Sequence, residues 1–167
     1  MKAISKVLLA ATLCGLFTSC SDDSENAPVA PAGKLIATVG GMAWESEAIA
    51  SVEHDFEWIH VVSRIDNKEI WVLVNKDDAV GTYEVTGYGD QVGPSPDAIV
   101  TYNNSSSEGS SSTYFDKDVV VGSVTITEID EVNKTVSGTF YSKVKSNTTG
   151  TLLEITSGSF TKIPMEM

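Results

Sequence analysis

The chain has 167 residues, with 23 acidic against 11 basic side chains and a formal net charge of −12. That length supports one domain around a single core. The acidic balance excludes binding to phosphate backbones, which needs clustered Lys and Arg, and excludes docking on anionic lipid through a polybasic patch.

Lys2 and Lys6 lead into an apolar run from Val7 to Phe17, closed by the small residues Thr18-Ser19 and then Cys20. A run of about 10 apolar residues falls well short of the roughly 20 that a membrane span requires, and it matches the h-region of a secretory signal. A buried N-terminal helix does not fit, because Ser21-Asp22-Asp23-Ser24-Glu25-Asn26 is polar throughout. Residues 1–19 are read as a signal peptide. Cys14 leaves with it. Cys20 follows Leu16-Phe17-Thr18-Ser19, which resembles a bacterial lipobox, with Phe17 where a small aliphatic residue is usual. Cys20 is thus the expected lipidation site, carrying acyl chains such as palmitate.

One acyl chain alone binds a membrane only marginally, whereas the two or three of a bacterial lipoprotein make a lasting tether. With Cys20 committed to lipid, the mature chain has no disulfide and no thiol nucleophile. It also loses two lysines, leaving nine basic against 23 acidic residues and a net charge of −14.

Residues 20–33 are read as the lipidated cysteine and a flexible polar linker stiffened by Pro28 and Pro31. The acidic stretch Ser21–Glu25 resembles the signal that sends Bacteroidota lipoproteins to the outer face of the outer membrane. The expected location is therefore the outer membrane, lipid-anchored and facing the cell exterior.

From Lys34 to the end, residues 34–167, the chain reads as one all-β domain, an antiparallel β-sandwich or an open β-barrel. Val, Ile, Thr, Tyr and Phe alternate over short runs separated by turn residues. Lys34–Val39 is the first expected strand, and Gly40-Gly41 marks a turn or bulge before Trp44. Ala43–Val52 offers the best candidate for a short helix. Glu57–Ile65 and Glu69–Val74 form an expected hairpin across Asp66-Asn67-Lys68, and Ile70–Val74, apolar on both faces, belongs near a sheet centre. Thr82–Tyr88 and Ala98–Tyr102 follow.

The insert Asn103–Ser112, rich in serine, is expected to be a mobile surface loop. Gly122–Ile129, Lys134–Lys145 and Thr151–Ile163 then form a meander. Glycine, a small residue and an aromatic recur at Gly81-Thr82-Tyr83, Gly138-Thr139-Phe140 and Gly158-Ser159-Phe160. Glycine at these positions permits a bend, and the aromatic fills the core. The spacing is not periodic, so this is no repeat protein.

Taken in order, Gly81-Thr82-Tyr83, Gly122–Thr127 with Ile129-Asp130, Val136–Phe140 and Ile155–Phe160 resemble a family of small uncharacterised Bacteroidota outer-membrane lipoproteins, known only as a domain of unknown function. The resemblance covers most of Lys34–Ile163. It implies the same address and an all-β fold, and it brings no catalytic residues.

Chemistry is sparse. His54 and His60 are the two histidines; six residues along a strand place them about 20 Å apart, too far to share one ion. Asp77-Asp78 and Asp116-Lys117-Asp118 are acidic pairs in turns without a calcium-loop pattern. No nucleophile elbow, phosphate loop or dinucleotide fingerprint occurs, so no enzyme activity and no cofactor are expected.

Aromatics remain. Trp44, Trp58, Tyr88, Tyr102, Tyr114 and Phe115 lie in or beside the less regular parts, and core packing accounts for Trp58 and Trp71 at least as well as binding does. Tyr102 and Tyr114, flanking the serine loop, are the expected exposed, ligand-contacting aromatics. The leading expectation is a non-catalytic surface lipoprotein that binds a glycan or a protein. The alternatives are a calycin-like barrel holding a small apolar ligand and, behind it, a hydrolase with facing carboxylates.

Overall fold

The computed structural model describes residues 28–53, 58–75, 80–86, 97–104, 110–112, 120–146 and 149–166. Among them there is no helix. Ten strands form: β1 (Lys34–Val39), β2 (Met42–Glu53), β3 (Trp58–Ile65), β4 (Lys68–Asn75), β5 (Gly81–Thr86), β6 (Ala98–Asn104), β7 (Ser110–Ser112), β8 (Val120–Asp130), β9 (Thr135–Ser146) and β10 (Leu152–Glu166). The all-β expectation holds.

Nine of the strands pair into a ring, β1-β2-β3-β4-β6-β5-β8-β9-β10 and back to β1, while β7 bridges β6 and β9 at one end. A ring of antiparallel pairs needs an even number of strands, so an odd ring must contain a parallel neighbour pair. Here it is β5–β6, joined among the described residues through a single pair, Val85↔Ala98. The barrel is thinnest at that seam, which suits the open-barrel expectation.

Alternation drives the wall. Leu35, Ala37 and Val39 of β1 point inward, as do Ile70, Val72 and Val74 of β4. Barrels of about eight strands have interiors just wide enough for side chains to fill. Phe160, Leu35, Ile59, Ile126 and their neighbours fill this one as a single continuous cluster. Ser63 is fully buried in it and accepts a hydrogen bond from Trp44 Nε1 at 3.0 Å. No buried side-chain nitrogen or oxygen among the described residues lacks a partner.

Coiling comes from bulges. The β9–β10 register slips between Ile155 and Gly158 and again between Phe160 and Ile163, where Ser157 and Lys162 adopt positive φ. The second bulge is held by the Lys162 N–H, which donates to Ser137 Oγ at 3.0 Å.

Two of the three Gly-small-aromatic units, at Gly138 and Gly158, have a reciprocal explanation. Gly138 pairs with Phe160, and Gly158 pairs with Phe140. A Cβ on Gly138 would lie 2.6 Å from Phe160 Cζ, and one on Gly158 would lie 2.7 Å from Phe140 Cε1. Each unit's ring therefore lies over the other unit's glycine, and the two rings sit 6.3 Å apart.

Three expectations change. Ala43–Val52 is strand, not helix: Trp44, Ala48 and Ala50 are buried while Glu45, Glu47 and Ile49 are exposed, a period of two. Its small residues suit a helix, but the Gly40-Gly41 turn, with both φ angles positive, folds the segment back on β1, and β3 pairs with its other edge. The serine insert is not wholly loop, because Ser110–Ser112 pairs with both β6 and β9. The linker ends earlier than residue 33. Ala30 is buried, its N–H donates to Ser159 Oγ at 3.0 Å, Ser159 donates in turn to the Pro28 carbonyl, and Gly33 N–H donates to Thr161 O at 2.7 Å. Residues 28–33 are a strap along β10.

Candidate functional site

Cys20 and Tyr114 lie outside the described residues, as do Tyr88, Phe115, His54 and the pairs Asp77-Asp78 and Asp116–Asp118. Tyr102 is a correction. It is 7% exposed and packs edge-on against Trp44, with ring centroids 6.2 Å apart. Its position on β6 has the inward phase of Ala98 and Val100, and burial raises its phenol above the ordinary value of 10.0. It is a core residue.

Trp58 and Trp71 depart from the core reading in the opposite direction. Both have the outward phase of their strands, between buried neighbours such as Ile59, Ile70 and Val72, and both are half-buried on the outside of the wall. Half of each strand must face outward, so the two-sided apolar run Ile70–Val74 leaves Trp71 and Leu73 on the exterior.

Register assembles them into a surface. Val62 sits opposite Trp71 and beside Ile49, which is 47% exposed. One step along, His60 pairs with Leu73, and Leu73 pairs with Ile99; the next row holds Trp58 opposite Asn75. Trp71 and Trp58 are thus four residues apart along the strands, about 14 Å.

At the other side of Ile49 and Val62 lies an open recess of about 420 Å³, lined among others by Lys34, Glu47, Arg64 and Pro164. That volume falls in the range of about 300–1,000 Å³ typical of ligand sites.

The polar rim is organised. Arg64 Nε donates to Glu69 Oε1 at 2.5 Å, and Trp71 Nε1 donates to Glu69 Oε2 at 2.8 Å. Asn103 also bonds this carboxylate, and together these donors hold Glu69 below its ordinary value of 4.5, Arg64 first among them. Lys34 pairs with Glu45 at 2.6 Å, which raises its ammonium above 10.5. Trp71 and Glu69, two residues apart on β4, share the outward face, and the Nε1–H bond to the carboxylate fixes the N–H edge of the indole against it.

No group of three or more His, Cys, Asp or Glu among the described residues could hold a metal ion. The Glu69-x-Trp71 spacing was the available signal for this site, since residues two apart on a strand share a face. Reading the strand as buried on both sides hid it.

Residues 33–164 match the family described as a domain of unknown function, DUF6252. The chain belongs to the DUF6252 family. No curated protein and no solved structure matches it. The DUF6252 match begins at Gly33, where the strap meets β1, and ends at Pro164, inside β10. It therefore takes in β1 to β9, most of β10 and every residue named above around the recess and the Trp71 face.

Proposed function

We propose that this protein is a lipid-anchored bacterial envelope lipoprotein, held at the outer face of the outer membrane, whose barrel is a non-catalytic binding module. The observation that carries the binding half is the outward Trp71, fixed by Glu69 and continuous through Val62 with the recess. A preorganised aromatic beside a polar rim favours recognition, because little side-chain freedom is lost on binding. The carboxylates beside the recess are engaged by donors, Glu69 by Arg64 and Trp71 and Glu45 by Lys34, which supports a binding role over hydrolysis. Packing of Phe160 and Leu35 through the barrel centre gives a ligand inside the lumen no support.

The anchoring half rests on the sequence: the h-region, Thr18-Ser19-Cys20 and the acidic stretch after it. The strap shortens the tether. Only Ser21–Ala27 would separate Cys20 from the strap, a reach of at most about 25 Å.

The test is acyl labelling and detergent partitioning of the full chain against Cys20→Ala, with protease shaving of intact cells. Label and membrane retention should vanish in the variant, and the wild-type barrel should be shaved. A Cys20→Ala protein that stays membrane-bound after signal cleavage overturns the anchor.

A further inference from the structure

We propose that the Trp71 face and its recess bind a neutral oligosaccharide, the pyranose C–H face lying on the Trp71 indole and its hydroxyls meeting Arg64, Glu69 and Glu47. This rests on the binding-module reading above and names its ligand class.

Two properties of the surface select that class. The first is its mixture. Ile49, Val62, Trp71 and Leu73 form an apolar track, and charged planar groups stand directly along its edge. A sugar has this same division, with carbon-bound hydrogens on a ring face and hydroxyls around the ring perimeter. An aliphatic ligand would leave Arg64 and Glu69 facing apolar surface, which is costly for charged groups.

The second is charge. The site holds Lys34 and Arg64 against Glu45, Glu47 and Glu69, two cations against three carboxylates, with both cations already paired. An acidic polymer would meet a slight local negative charge and the −12 of the whole chain. A neutral ligand meets neither penalty, and its hydroxyls can both donate to Glu47 and Glu69 and accept from Arg64.

Length also fits. From the Arg64–Glu69 row to the Trp58 row is six residues, about 20 Å of continuous face, which suits a chain of sugars and leaves Trp58 as a second platform.

The experiment titrates the full-length protein in detergent micelles with cellohexaose, laminarihexaose, mannohexaose and xylohexaose, and with hexagalacturonate as the acidic control. Binding is read by calorimetry and by saturation-transfer NMR, which reports which sugar protons touch the protein. At least one neutral hexasaccharide should bind saturably, with transfer strongest to ring C–H protons. Trp71→Ala should weaken it about tenfold, and Trp71→Phe should recover most of the loss. Leu152→Ala, on an exposed residue of β10 that does not line the recess, should leave it unchanged. Circular dichroism of each variant separates loss of binding from loss of fold.

Saturable binding of none of the neutral sugars, preference for hexagalacturonate, or affinity unchanged in Trp71→Ala overturns the inference. If sugars fail but an envelope protein is captured by wild type and not by Trp71→Ala, the oligosaccharide assignment falls while the binding module stands. If neither is seen, both fall.

Discussion

Replacing Gly138 by alanine tests the reciprocal glycine–aromatic packing that closes the β9–β10 wall. At an ordinary extended position, Gly→Ala stabilises by about 0.4–1 kcal/mol, because it restricts the unfolded chain. Here the new methyl would lie 2.4 Å from the Thr125 carbonyl oxygen and 2.6 Å from Phe160 Cζ. The carbonyl is backbone within the β8–β9 pairing and cannot rotate away; the ring is 1% exposed and has no free volume to enter. Overpacking of a tight core costs about 1–3 kcal/mol, occasionally more, and a carbonyl that must move with its strand belongs at the upper end. The net expectation is a loss of about 2–3 kcal/mol, or about 10 °C in Tm at roughly 4 °C per kcal/mol for a domain of this size.

Urea unfolding of the full-length chain followed by tryptophan fluorescence measures it, with an unchanged m-value as the check on two-state behaviour. Combining Gly138→Ala with Phe160→Leu should cost about 1 kcal/mol less than the sum of the two, since the smaller side chain relieves the ring clash but leaves the carbonyl. A stabilised Gly138→Ala, or strict additivity with Phe160→Leu, would refute the packing argument.

Other substitutions probe the remaining features. Ser63→Ala leaves the buried Trp44 N–H without its acceptor, and an unsatisfied buried donor should cost about 1–3 kcal/mol by the same unfolding assay. Ser159→Ala removes the hydroxyl that both accepts from Ala30 and donates to Pro28, so amide exchange at Ala30 should accelerate by about tenfold while core strands stay protected. Glu69→Gln tests the rim. A carboxyl depressed below 4.5 stabilises the fold above that pH and loses its contribution as pH falls through the folded value. Wild type should therefore exceed the variant by up to about 1 kcal/mol at pH 6, and the gap should close as pH falls below 4.5 through the folded value. Tyr102→Phe should flatten the alkaline limb of the stability curve. Burial disfavours the charged phenolate in the fold, so the folded state resists the deprotonation that the unfolded chain undergoes above pH 10.0, and stability falls as pH rises past that value.

The strand content was legible because alternation is local. The strand cores in Lys34–Val39 and the C-terminal meander follow from period-two patterns, Glu69–Val74 from a short run of β-forming apolar residues, and the hairpin between β3 and β4 from the turn residues Asp66-Asn67. Ala43–Val52 was not legible. Its small residues are compatible with either backbone, and only pairing with β1 on one edge and β3 on the other selects the strand. Ser110–Ser112 illustrates the same limit, since three serines become a strand only where β6 and β9 leave a gap between them.

The site was divided in the same way. Composition names the tryptophans and tyrosines, but which of them meet solvent depends on which face of each strand turns toward the barrel axis. Tyr102 and Trp71 are both aromatics on β-strands, one inward and one outward by a single step of phase relative to the ring.

By itself the sequence determined the acidic charge and an all-β chain, and it is the sole ground for the proposed export signal and Cys20 anchor, because each depends on residues near one another or on simple sums. The tertiary structure decided the closure of nine strands into a ring, the burial of Tyr102, the docking of residues 28–33 on β10 and the juxtaposition of Trp71 with the recess. Those depend on contacts between residues far apart in the chain, such as Ala30 with Ser159 or Gly138 with Phe160, and only closure of the wall brings such residues within bonding distance.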